Sequence, residues 1–167
     1  MRQCAHQHRT YGRVSSAVVA ARHAILALAG AGIAATASAG LGGDYVSLAR
    51  DREVLHAGPE RVVSTVAFDR HEFTTASGAR VREYVSRNGA IFAVTWSGPT
   101  CPDLRTVLGE QYAEFVAAAK INRHNHHLLT ISAPELAMVS RRLQRGFAGR
   151  AYLPALMPAG LAPTELE

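Results

Sequence analysis

The sequence predicts an α+β fold, an antiparallel β-meander sheet packed against one main amphipathic helix, with a short helix ahead of the sheet. Three observations carry this expectation. Asn88-Gly89 separates two apolar-rich runs, Val81–Arg87 and Ala90–Trp96, and this dipeptide between strand-like segments is a strong short-range hairpin signal. A third run, Phe68 to Thr75, joins the first across the short loop Ala76-Ser77-Gly78. Leu104, Val107, Leu108, Tyr112, Phe115, Val116 and Ala119 recur at three- and four-residue steps, the spacing of a helix that covers a sheet face.

In chain order, the first 39 residues are expected to be a secretory signal peptide. Arg2, Arg9, Arg13 and Arg22 occur with no acidic residue, an apolar run follows from Ala24 to Ala35, and Ala37-Ser38-Ala39 is a small-x-small cleavage site. The apolar run is shorter than the roughly 18 to 20 residues a membrane-spanning helix needs, so no stable span is expected after cleavage. Residues 40–167 then form one domain, exported to the periplasm or the outside. The charge balance supports a neutral mature chain. Of 18 basic and 13 acidic residues, four basic and no acidic ones lie in the leader, which leaves 14 against 13, or +1. That small excess points away from nucleic acid or an acidic membrane as partner.

Gly40-Leu41-Gly42-Gly43 reads as a flexible lead and Asp44 as the N-cap of a helix from Tyr45 to Leu55. Tyr45, Leu48, Ala49 and Leu55 are placed on its apolar side, and Arg50, Asp51, Arg52 and Glu53 on its wet side. Gly58-Pro59 ends it, and Arg61 to Ala67 begins or leads into the first strand; the sheet is expected to have about five strands, a common size.

Two hairpins follow. A two-residue type I′ turn at Asn88-Gly89 pairs Arg87 with Ala90, Val85 with Phe92, Glu83 with Val94 and Val81 with Trp96 on one apolar face. Arg82, Tyr84, Ser86, Ile91, Ala93 and Thr95 then lie on a mixed face that can meet water. At the preceding loop, a two-residue turn would set Glu72 opposite Glu83, a like-charge pair that sheets avoid. A three-residue loop with Gly78 left-handed sets His71 opposite Glu83 instead, and that register is preferred. It places a His71/Glu83 pair among apolar neighbours, as a register-fixing ion pair or a catalytic dyad.

Ser97-Gly98-Pro99 turns the chain, and Thr100, Cys101 and Pro102 start the main helix. Once the leader and Cys4 are removed, Cys101 stands alone, as a small buried or capping residue, a free thiol, an intermolecular bridge or a nucleophile. His124, His126 and His127 form a polar run with metal-ligating side chains but no nearby acid or further histidine to complete a set; an ordinary loop is the simpler reading. His127 to Ile131, Glu135 to Ser140 and Gly146 to Leu153 are further strand candidates, and the proline-bearing tail is expected to be irregular.

The stretches Leu41-Gly42-Gly43-Asp44, Val81-Arg82-Glu83-Tyr84-Val85, Phe92-Ala93-Val94, Trp96-x-Gly98-Pro99, Pro102-Asp103-Leu104 and Gly149-Arg150-Ala151-Tyr152-Leu153-Pro154 together resemble a family of small exported bacterial proteins, the domain of unknown function numbered twenty-eight forty-four. The resemblance spans nearly all of the mature chain and implies no activity, cofactor or catalytic residue.

Phosphate-binding glycine loops, nucleophile elbows, zinc-protease helices and Cys-x-x-Cys pairs are missing from the sequence. Two readings remain. One is a non-catalytic exported module that binds an envelope protein or a small ligand. The other is a small exported enzyme, such as a hydrolase, that uses His71 with Glu83, or Cys101. Neither requires a cofactor.

Overall fold

The computed structural model describes residues 40–121 and 127–166. The expected signal segment and cleavage site, together with Cys4, His124 and His126, lie outside the described residues. Helix α1 (Tyr45–Val54) precedes strands β1 (Arg61–Ser64), β2 (Phe68–Thr74), β3 (Arg80–Ser86) and β4 (Ile91–Gly98). Helices α2 (Leu104–Leu108) and α3 (Tyr112–Ile121) follow, then β5 (Leu128–Ser132), β6 (Ala137–Leu143) and β7 (Gly146–Tyr152). The α+β class stands, but the sheet has seven strands in the order β1-β2-β3-β4-β7-β6-β5 rather than about five. It is made of two meanders joined at β4 and β7, and every neighbouring pair is antiparallel.

The preferred register between β2 and β3 is present: His71 faces Glu83, Glu72 faces Arg82 and Phe73 faces Val81. The loop that sets it closes with Gly78 N–H donating to the Thr75 carbonyl and Thr75 N–H to the Ala79 carbonyl, with Gly78 at φ +85°. The next hairpin uses the same device, not the expected type I′ turn. Gly89 N–H donates to the Ser86 carbonyl, Ser86 N–H to the Ala90 carbonyl, and Gly89 alone in the loop has positive φ. Only one left-handed position is needed in such a loop, so Asn88 stays in ordinary backbone space.

This turn shifts the pairing by one residue, so Ser86, not Arg87, lies opposite Ala90, and Val85 faces Ile91, not Phe92. A bulge then restores the expected register: Tyr84 faces Ala93, Glu83 faces Val94 and Val81 faces Trp96. Phe92 is the extra residue. It is buried with Tyr84, Ala93 and Leu166 on the back of the sheet, whereas Ile91 packs with Leu48 and Val85. The back face is therefore not uniformly wet. The irregular tail, with 3-10 turns at Pro154–Leu156 and Pro163–Glu165, lays Met157, Leu161 and Leu166 over one end of it.

The front face carries the main core. Leu104, Val107, Leu108 and Phe115 pack with Val81, Val94, Trp96, Leu129 and Met138, so the predicted helix does cover the sheet, through Val94 and Trp96 and without Phe92. The helix is not one piece. Asp103, rather than the Thr100 to Pro102 segment, caps it by accepting from Arg105 N–H, and Gly109, at φ +54°, interrupts it before a 3-10 turn leads into α3. The Val107 carbonyl accepts from Leu41 N–H, so an acceptor near the helix end is satisfied by the incoming chain. The expected flexible lead is thus docked: Gly42 N–H bonds the Ile91 carbonyl, Ile91 N–H bonds the Gly43 carbonyl, and Leu41 is buried. Among the described residues no helix is long and apolar enough to cross a membrane.

Candidate functional site

Two polar assemblies lie on opposite sides of the sheet. The first sits between α1 and strands β1 to β3. Asp44 caps α1 as predicted, accepting from Ser47 N–H at 3.0 Å, and this orients the helix so that Ser47, Leu48, Asp51 and Leu55 face inward. Asp51 was expected on the wet side and Tyr45 and Ala49 on the apolar side; instead Asp51 is 0 % exposed while Tyr45 and Ala49 are exposed. The four-residue steps Ser47, Asp51 and Leu55 explain the outcome, because they form one helical stripe.

Below Asp51 stand His71 and Glu83, 2 % and 0 % exposed. They are cross-strand partners on one face, but they do not form the expected pair. His71 Nδ1 lies 2.7 Å from Oε1 of Glu60, whose Oε2 accepts from Arg52 at 2.8 Å. Glu60, four residues C-terminal to the turn residue His56, was absent from the sequence-derived candidates; in sequence it is one acid at the edge of a short strand, and its role depends on β1 pairing beside β2. The ring of Tyr45 meets His71 edge-on, with centroids 5.6 Å apart.

Both carboxyl oxygens of Glu83 and of Asp51, and His71 Nε2, are buried without a hydrogen bond of normal geometry. Lost hydration therefore dominates their chemistry. Burial raises the pKa of Glu83 well above the usual carboxyl range, the nearby charges of Asp51 and Glu60 raise it further, and Arg52 opposes them. Burial likewise raises Asp51 from 3.8 to about 7, with the Gly40 backbone amide and the Arg50 charge pulling the other way. The cluster thus sets Glu83, whose proton burial holds more tightly than usual, beside a hydrogen-bonded His71–Glu60–Arg52 chain. Such a group can store or exchange a proton, but it is enclosed by α1 and the sheet.

The other sequence-derived candidates contribute little to either assembly. Cys101 is partly buried and packs against the main core. His127 is exposed just before β5, and its carbonyl accepts from Arg142 N–H. Among the described residues no group of three or more His, Cys, Asp or Glu side chains is arranged to hold a metal ion.

The second assembly is a groove of about 420 Å³ on the back of the sheet, lined by Arg82, Thr95, Ser97, Arg141, Arg150 and Leu166 among others. Alternation within paired strands puts Arg61, Glu72, Arg82, Thr95, Arg150 and Val139 in one row across the sheet, with Arg80, Ser97, Ala148 and Arg141 in the next. Glu72 Oε2 accepts from Arg82 Nε at 2.7 Å and Oε1 lies 3.7 Å from Arg80; the bond from Arg82, first, and the surrounding arginine charges hold its pKa below the usual value. Arg150 donates to the Pro163 carbonyl at 2.9 Å and thereby ties the tail to the groove's rim. The groove was not foreseen, because its halves belong to strands about 55 residues apart in sequence, Thr95 and Arg150, that meet only where β4 pairs with β7.

No curated protein and no solved structure matches this chain at a significant level. A family does: residues 37–166 match the family described as "Protein of unknown function (DUF2844)", and the chain belongs to it.

Proposed function

We propose that this protein is a non-catalytic module, exported to the periplasm or the outside by its basic and apolar leader, that binds a small ligand or a partner on the back of its sheet. One observation carries the choice: the polar groups suited to proton chemistry are closed off, whereas the roomy concave surface lies on the opposite face. A groove of this size is in the range of small-molecule sites. The enzymatic alternative draws on the 2.7 Å His71–Glu60 contact, which resembles the base-and-orienter half of a catalytic triad. It needs a substrate at His71 Nε2, and that atom is buried.

Two measurements test the proposal. Mass spectrometry of protein recovered from the envelope or medium is expected to find Gly40 at the N-terminus; an intact Met1 on cytosolic protein would end the export reading. Protein purified under native conditions is expected to release a bound molecule on denaturation, and Ala148→Trp, which fills the groove, is expected to abolish that cargo. Cargo retained by this variant and lost from His71→Gln would favour the enzyme.

A further inference from the structure

The mature chain has almost no net charge, yet the fold sorts its charges by face. Arg61, Arg70, Arg80, Arg82, Arg141 and Arg150 all occupy back-face positions in the strand registers, and the acid among them is Glu72. Glu72 compensates the β2–β3 side, through Arg80 and Arg82. Among the described residues the β6–β7 side has no such compensation. Val139 faces Arg150, and Arg141 lies two residues further along the same strand, a diagonal of about 7–8 Å. Among the described residues neither arginine has an acidic partner. Like charges so close on one sheet face are unfavourable, and Arg150 is additionally half-buried under the tail.

We infer that the back-face groove is a site for an oxyanion of two or more negative charges, a phosphate ester or a pair of neighbouring carboxylates, held between Arg141 and Arg150. This rests on the reading of the groove as the ligand surface. The chemistry follows from the side chains. Guanidinium groups present planar forks that match phosphate and carboxylate oxygens two bonds at a time, and they keep their charge when partly buried. The Ser97 hydroxyl lies on the same face, opposite Ala148, and adds a neutral hydrogen-bonding group at the floor. Arg82, already bonded to Glu72, closes the far wall as a pre-oriented cation. The tail, fixed by Arg150 Nη1 to the Pro163 carbonyl, screens the site from bulk water on one side and makes the attraction stronger than on an open surface.

The test uses the full chain, isotope-labelled, titrated separately with inorganic phosphate, pyrophosphate and citrate, and read by amide shifts. Saturable shifts centred on Ala148, Gly149 and Arg150 are expected, and the anion that binds tighter, pyrophosphate or citrate, identifies the phosphate or carboxylate source. Arg141→Gln, at an exposed position, and Arg150→Gln are each expected to weaken binding at least tenfold. Arg61→Gln removes the same charge from the same face outside the groove and should change affinity less than twofold. Equal weakening by all three variants would reduce the effect to general electrostatics and overturn the site. No groove shifts with any anion would overturn the ligand class. In that case groove shifts caused by a neutral molecule from envelope extract would leave the surface assignment standing, and their absence would remove it as well.

Discussion

The two faces of the sheet treat charge in opposite ways. On the front, under α1 to α3, the acids Asp51 and Glu83 are buried, with no hydrogen bond of normal geometry to their oxygens, and burial drives them toward the neutral form. On the back, arginines stay charged, and one carboxylate, Glu72, is held ionised among them. The same residue type, glutamate, has its pKa raised at position 83 and lowered at position 72, eleven residues away and one strand over. The difference shows that sheet face, more than sequence neighbourhood, sets the protonation state here. It also separates the two functional readings, because a closed front suits structural or proton-storing roles and an open basic back suits recognition.

The comparison can be broken or sharpened at several points. The largest effect is expected from the front-face core. Trp96→Ala removes a side chain that is 2 % exposed and should cost about 3–5 kcal/mol in chemical denaturation; a loss under about 1 kcal/mol would show that the front is not the main core. Glu60→Gln comes next. It weakens the link that satisfies buried His71 and bonds Arg52, and about 1–3 kcal/mol is expected. If His71→Gln in the Glu60→Gln background costs as much again, the two residues act independently and the buried chain is not a unit.

The pH dependence is a third test. An acid whose pKa rises on folding holds its proton more tightly in the folded chain. Its contribution is therefore fully present below the ordinary value, is lost as pH rises, and levels off above the folded value. For Asp51 that window runs from 3.8 to about 7, and Glu83 acts in the same direction. Stability should fall across it by up to about 1.4 kcal/mol per pH unit for each group. Asp51→Asn and Glu83→Gln should each flatten the slope. The expectation for Glu83→Gln thus differs from that of a His71/Glu83 ion pair: little change at acid pH and relative stabilisation near neutrality, measured by melting temperature across the range. A steeper slope in either variant would mean the carboxyls are satisfied when ionised. The smallest effect belongs to the back face, where Glu72→Gln loses partly exposed ion pairs and should cost below about 1 kcal/mol, less in high salt.

How far the fold was legible depends on how local each determinant is. The β2–β3 register could be derived because one loop with one left-handed glycine sets it, and because the competing register juxtaposed Glu72 with Glu83. The β3–β4 pairing came out right from Glu83 to Val81 although its turn was wrong, since the longer loop at Gly89 and the bulge at Phe92 shift the register by one residue in opposite senses. Nothing in the alternation of Ile91-Phe92-Ala93 distinguishes the two routes. What decides them is the space available on each side: Ile91 fills a gap beside Leu48, and Phe92 meets Phe68 edge-on and Tyr84 at a tilt beneath the tail.

The sequence by itself determined the class, the capped helix after Asp44, both hairpins, the helical stripe through Leu104 and Phe115, and the placing of His71 and Glu83 on one face. These depend on turn chemistry, capping and side-chain period, which act over a few residues. Only the tertiary structure decided that Glu60 rather than Glu83 bonds His71, that Asp51 is buried, that Gly109 breaks the helix where the incoming Leu41 can bond its end, and that β4 joins β7 to gather arginines from distant strands into one groove. The reason is physical: hydrogen-bond partners and desolvation belong to neighbours in space, and for an antiparallel sheet with a non-sequential centre those neighbours come from anywhere along the chain.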